Sequence, residues 1–186
     1  MDSRSREASS GSAKDPVAAS PFDGGKARLF GGLVGLVVVL DLVTKVLVQR
    51  TLDLYEQVDV LGSFLRLTFI YNPGAAFGIN LGPHSRWIFL ALSVLVLATL
   101  LSMFAFTPGR DRLRLAAIGL VSGGALGNLI DRIKSERGVV DFLDVGIGTV
   151  RWPVFNVADM ALTIGAIILA LSLWREERLV RQTERH

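Results

Sequence analysis

Four long apolar runs decide what this chain can fold into. The first, from about Ala27 to Val48, is broken only by Arg28, Asp41 and Lys45. The second, Trp87 to Phe106, carries no charge. The third, Leu115 to Ile130, is rich in glycine and bracketed by Arg114 and Asp131, and the fourth, Val154 to Trp174, holds a single charge, Asp159. A helix needs about 20 mainly apolar residues to cross a bilayer, because lipid offers its backbone no hydrogen-bond partners. Each run reaches or approaches that length, the third by borrowing residues at its ends. The pattern predicts an all-α integral membrane protein with four transmembrane helices, at about 27–48, 87–106, 113–133 and 154–174.

The flanks differ in composition. Residues 1–26 are mostly Ser, Ala, Gly and charged residues, with Phe22 the one large apolar side chain after Met1 and Val17. They read as a disordered tail and not as a cleavable leader, since no short apolar core precedes the first span. The membrane domain then covers 27–174, and 175–186 form a short charged C-terminal tail. Lys and Arg sort by side. Five lie in the N-terminal stretch through Arg28, three between the second and third spans (Arg110, Arg112, Arg114) and four in the C-terminal tail, against three in each of the longer loops, about 49–86 and 134–153. Basic loops stay in the cytoplasm, so both termini are expected inside and the two long loops outside. This bias accounts for the net charge of +3 and the pI near 9.7 and leaves no call for a nucleic-acid partner. With no cysteine and only His84 and His186, no disulfide framework, cysteine nucleophile, metal centre or cofactor is expected.

The long loops look structured. Phe64 to Tyr71, Val139 to Phe142 and Thr149 to Trp152 are rich in aromatic and β-branched residues. They predict a small extracytoplasmic β-sheet at or above the headgroups, because an open sheet edge cannot face lipid. Gly119, Gly123 and Gly127 recur every four residues and form a small-residue seam, which puts the third helix at the bundle centre. Gly31 and Gly35 suggest a weaker seam on the first helix, and Asn72-Pro73-Gly74 marks a turn.

An acid inside a span costs about 2.5–3.5 kcal/mol on insertion scales and is a functional candidate. With the expected topology, Asp41 and Lys45 fall in the outer half of the first helix. Asn128, Asp131 and Arg132 fall at the outer end of the third, Asn156 and Asp159 at the outer start of the fourth, and Asp141 in the loop between them. Each also has a structural reading. Asp41 and Lys45, four residues apart, can neutralise one another. Asp131-Arg132 can anchor the interface. Asn156 can cap the fourth helix, with Asp159 at its third position, where the dipole favours a carboxylate. Asp141 lies between apolar neighbours that suggest burial, whereas Asp144 reads as a solvated acid. No phosphate loop or H-E-x-x-H motif is present, and span serines lack a histidine. A carboxylate pair sharing one proton remains, and such a pair can hydrolyse a peptide bond without metal or covalent intermediate.

Five motifs appear in order: Asp41-Leu42-Val43-Thr44-Lys45, Asn72-Pro73-Gly74-Ala75-Ala76-Phe77, Gly123 through Arg132, Val139-Val140-Asp141-Phe142 and Phe155-Asn156-Val157-Ala158-Asp159. The chain over about 28–174 closely resembles lipoprotein signal peptidase (signal peptidase II, peptidase family A8). The resemblance implies an aspartyl endopeptidase of the bacterial cytoplasmic membrane. Its substrate would be a prolipoprotein whose lipobox cysteine carries diacylglycerol, cut just before that cysteine at the extracytoplasmic face. It implies Asp141 and Asp159 as the catalytic dyad, with Asp41, Lys45, Asn72, Gly74, Asn128, Asp131, Arg132, Asn156 and Ala158 supporting or lining the site. It further implies a β-cradle, a short surface helix near Ala75 to Leu81, contact with membrane lipid and binding of globomycin-type inhibitors. One site per chain fits a monomer. A transporter using the same acids would spread them through the membrane depth or show inverted repeats, and a scaffold would not need paired carboxylates.

Overall fold

A computed structural model gives the architecture and describes residues 24–74 and 82–183. Its helices are α1 (Gly24–Thr51), α2 (Ser85–Phe106), α3 (Arg112–Lys134) and α4 (Val157–Thr183), each long and apolar enough to cross a membrane. The strands are β1 (Gln57–Leu61), β2 (Leu65–Asn72), β3 (Val139–Ile147) and β4 (Val150–Arg151), paired antiparallel in the order β1-β2-β3-β4. The expected surface helix near 75–81 and nearly all of the expected N-terminal tail lie outside the described residues.

Side-chain ties between helix ends fix an up-down-up-down bundle. At the sheet end, Arg86 on the first turn of α2 donates to the carbonyls of Arg132 (2.8 Å) and Ile133 (3.2 Å), which α3 leaves free at its C-terminus. At the opposite end, Lys26 donates to Ala105 O at 3.0 Å and lies 4.6 Å from the Phe104 ring centre. That tie joins the N-terminal part of α1 to the end of α2, so helix is present at Gly24–Lys26, ahead of the expected span. Arg114 pairs with Glu176 at 2.6 Å, and Arg181 pairs with Glu177 one turn apart. These pairs support helix well into the stretch expected as a C-terminal tail.

Of the four apolar windows, that of α3 is 61% buried, against 22%, 11% and 17% for those of α1, α2 and α4. The glycine seam accounts for this central place. A Cβ on Gly123 would stand 2.8 Å from Val37 Cβ, and one on Gly119 3.2 Å from Leu33 Cβ, so α1 packs directly on the α3 backbone. Gly124 and Gly165 serve the α3–α4 contact in the same way. Gly31 and Gly35 do not form the second seam expected on α1, because both face open space. Leu100, Phe104, Leu115, Ile118 and Val121 make a buried cluster in the bundle, while Leu36, Leu95 and Ile167 stay more than half exposed, as lipid-facing residues do.

A second cluster of Val48, Phe69, Val140 and Phe142 joins the sheet to α1. Register then sets the site. Ile70 stands opposite Asp141 and Asn72 opposite Val139, so the strand leading into the Asn-Pro-Gly turn runs beside the strand carrying Asp141.

Candidate functional site

Two groups of acids meet where the sheet joins the bundle. The first centres on Lys45. Its ammonium lies 2.7 Å from Asp41 Oδ2, 2.8 Å from Asp131 Oδ2 and 3.1 Å from Asn128 Oδ1, which uses all three of its N–H donors. Lys45 is 2% exposed and Asp41 0%. The other Asp41 oxygen accepts the Ala158 N–H at 2.9 Å, one of the free donors at the start of α4, and Asp131 Oδ2 accepts the Val140 N–H at 3.2 Å. These two acids therefore tie α1 and α3 to the segments that carry Asp159 and Asp141. A Cβ on Gly127 would stand 2.6 Å from Asp41 Oδ2, so the approach of Asp41 to α3 requires glycine there.

Asn156 caps α4. Its Oδ1 accepts the Asp159 N–H at 2.9 Å, and Asp159 Oδ2 accepts the Asn156 N–H at 3.2 Å, the reciprocal arrangement of a capping box. Both residues do more than cap. Asn156 Nδ2 donates to Asp141 Oδ1 at 2.7 Å, and Asn128 Nδ2 donates to Asp159 Oδ1 at 2.8 Å. Asn72 Nδ2 donates to Asp141 Oδ2 at 3.0 Å. Each oxygen of Asp141 and Asp159 thus accepts a neutral N–H.

The three asparagines are locked in the orientation this requires. Asn72 Oδ1 accepts the Gly74 N–H at 3.0 Å in an Asx turn, Asn156 Oδ1 accepts the Asp159 N–H, and Asn128 Oδ1 accepts from Lys45. Reversing any of these amides would set two acceptors or two donors face to face. Arg132 donates to Asn128 O at 3.2 Å and to Gly74 O at 3.1 Å, holding the Asn-Pro-Gly turn over the site.

Asp141, Asp159, Asn72, Asn128 and Arg132 line one cavity of about 420 Å³, whose remaining wall is largely apolar. Burial raises the Asp141 carboxyl from 3.8 to about 7, and the Asp159 charge beside it adds to the shift. A carboxyl that keeps its proton near neutrality beside a second carboxylate can act as an acid while its neighbour acts as a base. Among the described residues no group of three or more Asp, Glu, His or Cys is placed to hold a metal ion.

Each residue named from the sequence for this site falls within the two groups or the turn above them. Asp144 departs from expectation. It is only 6% exposed and pairs with Arg151 at 2.8 Å, because the β3–β4 hairpin folds Arg151 back over it. The apolar wall (Trp152, Pro153, Val154, Phe155, Met160) was not identified from the sequence. The mix of aromatic residues and proline just before α4 was its only signal.

The family model for signal peptidase (SPase) II matches residues 33–175. The lipoprotein signal peptidase of Geobacter sulfurreducens is 41% identical over 152 residues, covering 81% of this chain and 94% of that one. That of Halothermothrix orenii is 42% identical over 147 residues, covering 79% and 96%. Two solved structures are also similar, both described as bacterial membrane enzymes determined by the in meso method. One, at 2.3 Å resolution, has a TM-score of 0.72 and 34% identity and covers 80% of this chain and 88% of its own. The other, at 1.9 Å, has a TM-score of 0.69 and 35% identity and covers 77% and 91%.

Proposed function

The chain belongs to the signal peptidase II family, and from that premise we propose that it is an aspartyl endopeptidase acting on diacylglyceryl-modified prolipoproteins, cutting just before the lipidated lipobox cysteine. Membership makes it a protease and a multi-pass protein of the bacterial inner membrane. The observation that carries the catalytic reading is the pair Asp141 and Asp159 on one cavity, each held by neutral amides and the first keeping its proton to about pH 7.

In this reading Asp159, at the dipole-favoured start of α4, is the ionised member and Asp141 the protonated one. Asp159 takes a proton from water as the water oxygen bonds to the scissile carbonyl carbon, and Asp141 gives its proton to the carbonyl oxygen. The tetrahedral intermediate then collapses. The C–N bond breaks, the leaving nitrogen takes the proton from Asp159, and Asp141 regains one from the intermediate's hydroxyl. Asn72, Asn128 and Asn156 orient the two acids. Asp41, Lys45, Asp131 and Ala158 hold the elements that carry them, and Arg132 and Gly74 shape the turn above. The excess of Lys and Arg at the opposite end supports an extracytoplasmic sheet end with both termini cytoplasmic. The peptidase unit is then 27–174, between cytoplasmic tails, acting as a monomer in contact with membrane lipid. Globomycin-type inhibitors would occupy the same cavity.

The test is cleavage of one prolipoprotein, with and without its diacylglyceryl group, by the purified protein, with the cut located by mass spectrometry. Rapid cleavage before the modified cysteine is expected. Equal rates on the two substrates would defeat the claim that the lipid is recognised.

A further inference from the structure

The buried acid that the mechanism does not use is Asp144. It lies on the same strand, β3, as Asp141, and its carboxylate is held in a clasp. Arg151 Nε donates to Asp144 Oδ1 at 2.8 Å, Arg151 Nη2 donates to the Asp144 carbonyl at 2.9 Å, and Arg151 Nη1 donates to Ser63 O in the turn between β1 and β2. Thr68 Oγ1 donates to Asp144 Oδ2 at 3.4 Å. One guanidinium therefore ties β4 to β3 and to the β1–β2 turn. Its stem needs room, and β3 supplies it with Gly146 directly opposite. A Cβ there would stand 2.8 Å from both Arg151 Cα and Arg151 Cδ.

The segment that follows Arg151 is the apolar wall of the cavity. It is pinned to β3 at both ends. Trp152 N–H donates to Val145 O at 2.8 Å, and Phe155 exchanges hydrogen bonds with Leu143, at 3.1 Å and 2.8 Å. Four residues, Trp152 to Phe155, thus span three on β3, Leu143 to Val145. The extra residue makes the segment bow, and Pro153 within it has no N–H to tie it down. Trp152, Pro153, Val154 and Phe155 all line the cavity that Asp141 and Asp159 share.

We infer that Arg151, held by Asp144, is a positioning residue that sets the apolar wall of the substrate cavity and so governs which apolar side chains near the scissile bond are accepted. The inference rests on the peptidase reading above. Arg151 touches neither carboxylate of the dyad, so its loss should act on substrate binding and leave the chemical step alone.

The experiment is steady-state kinetics on the purified full chain with diacylglyceryl-modified substrates. In these, each residue flanking the scissile bond is changed in turn from leucine to alanine. Arg151→Met should raise KM about fivefold or more, leave kcat within about twofold, and flatten the leucine-over-alanine preference at the flanking position where wild type shows it most strongly. The Asp144→Asn/Arg151→Met double variant leaves no buried charge unpaired and should behave alike, which covers the case in which the single variant does not fold. Arg151→Lys should restore part of the KM. Unchanged KM and unchanged preference in a folded variant would overturn the inference, as would a fall in kcat with KM unaltered. Failure of wild type to cut any of these substrates would instead count against the peptidase reading.

Discussion

Asp41 and Asp131 share the ammonium of Lys45, whereas among the described residues no ion pair reaches Asp141 or Asp159. The groups are neighbours, made of the same side chain, and Asn128 joins them by accepting from Lys45 and donating to Asp159. They differ in what faces the carboxylates. Acids that share the Lys45 ammonium serve as struts, Asp41 for the start of α4 and Asp131 for Val140. Acids hydrogen-bonded by amides, with Arg132 and Lys45 acting on them only through space, keep a definite geometry without a direct ion pair, so burial and mutual repulsion can hold a proton on Asp141. Burial alone does not separate a structural acid from a reactive one. Asp41 is 0% exposed and Asp141 1%.

Substitutions can break this division in order of effect. Asp141→Asn and Asp159→Asn should each lower turnover by about 10³-fold or more while the protein still unfolds in one cooperative transition, since asparagine keeps the shape but cannot exchange the proton. Cleavage assays paired with thermal unfolding check this, and near wild-type turnover in either would move the dyad elsewhere. Lys45→Met should do the reverse and act first on stability. It leaves two buried carboxylates without their cation, at a cost of about 3–5 kcal/mol, read from denaturation in detergent. Asn128→Asp probes the bridge. It can still accept from Lys45 but turns a donor to Asp159 into a repelling carboxylate, so turnover should fall about 100-fold and the acid limb of the pH–rate profile should move upward. Asp144→Asn, outside both groups, keeps an acceptor for Arg151 and should change KM by no more than about threefold.

The fold was legible wherever one physical demand dominated the residues. The need to satisfy backbone groups in lipid marked α1 to α4, and the Gly119, Gly123 and Gly127 spacing marked α3 as the helix others pack on. The same spacing on Gly31 and Gly35 misled, because a seam needs a partner and α1 turns those residues away from its neighbours. Strand β1 was missed although Gln57-Val58-Asp59-Val60 alternates, since all five of its residues are exposed and apolar density gave no signal. For the site, intramembrane charge singled out Asp41, Lys45 and Asp159. Which acids share a cation depends on how α1, α3 and β3 meet, and no spacing in the chain encodes that. Nothing local to Asp144 signals its burial, because its partner, Arg151, comes from the next strand, and a cross-strand pair is invisible until the register is known.

The claim that Asp141 holds a proton near neutrality, while Asp41 and Asp131 pair with Lys45, is most directly tested by the pH dependence of folding stability in wild type and Asp141→Asn. The Asp141 carboxyl keeps its proton up to about 7 when folded and releases it near 3.8, the ordinary value, when unfolded. Between those values the folded state binds the extra proton, so raising the pH through that window must cost wild type stability that the variant does not lose. Thermal unfolding at a series of pH values from about 5 to about 8 should show the variant gaining on wild type as pH rises, with the gap levelling off above about 7. Parallel curves across that range would contradict the account.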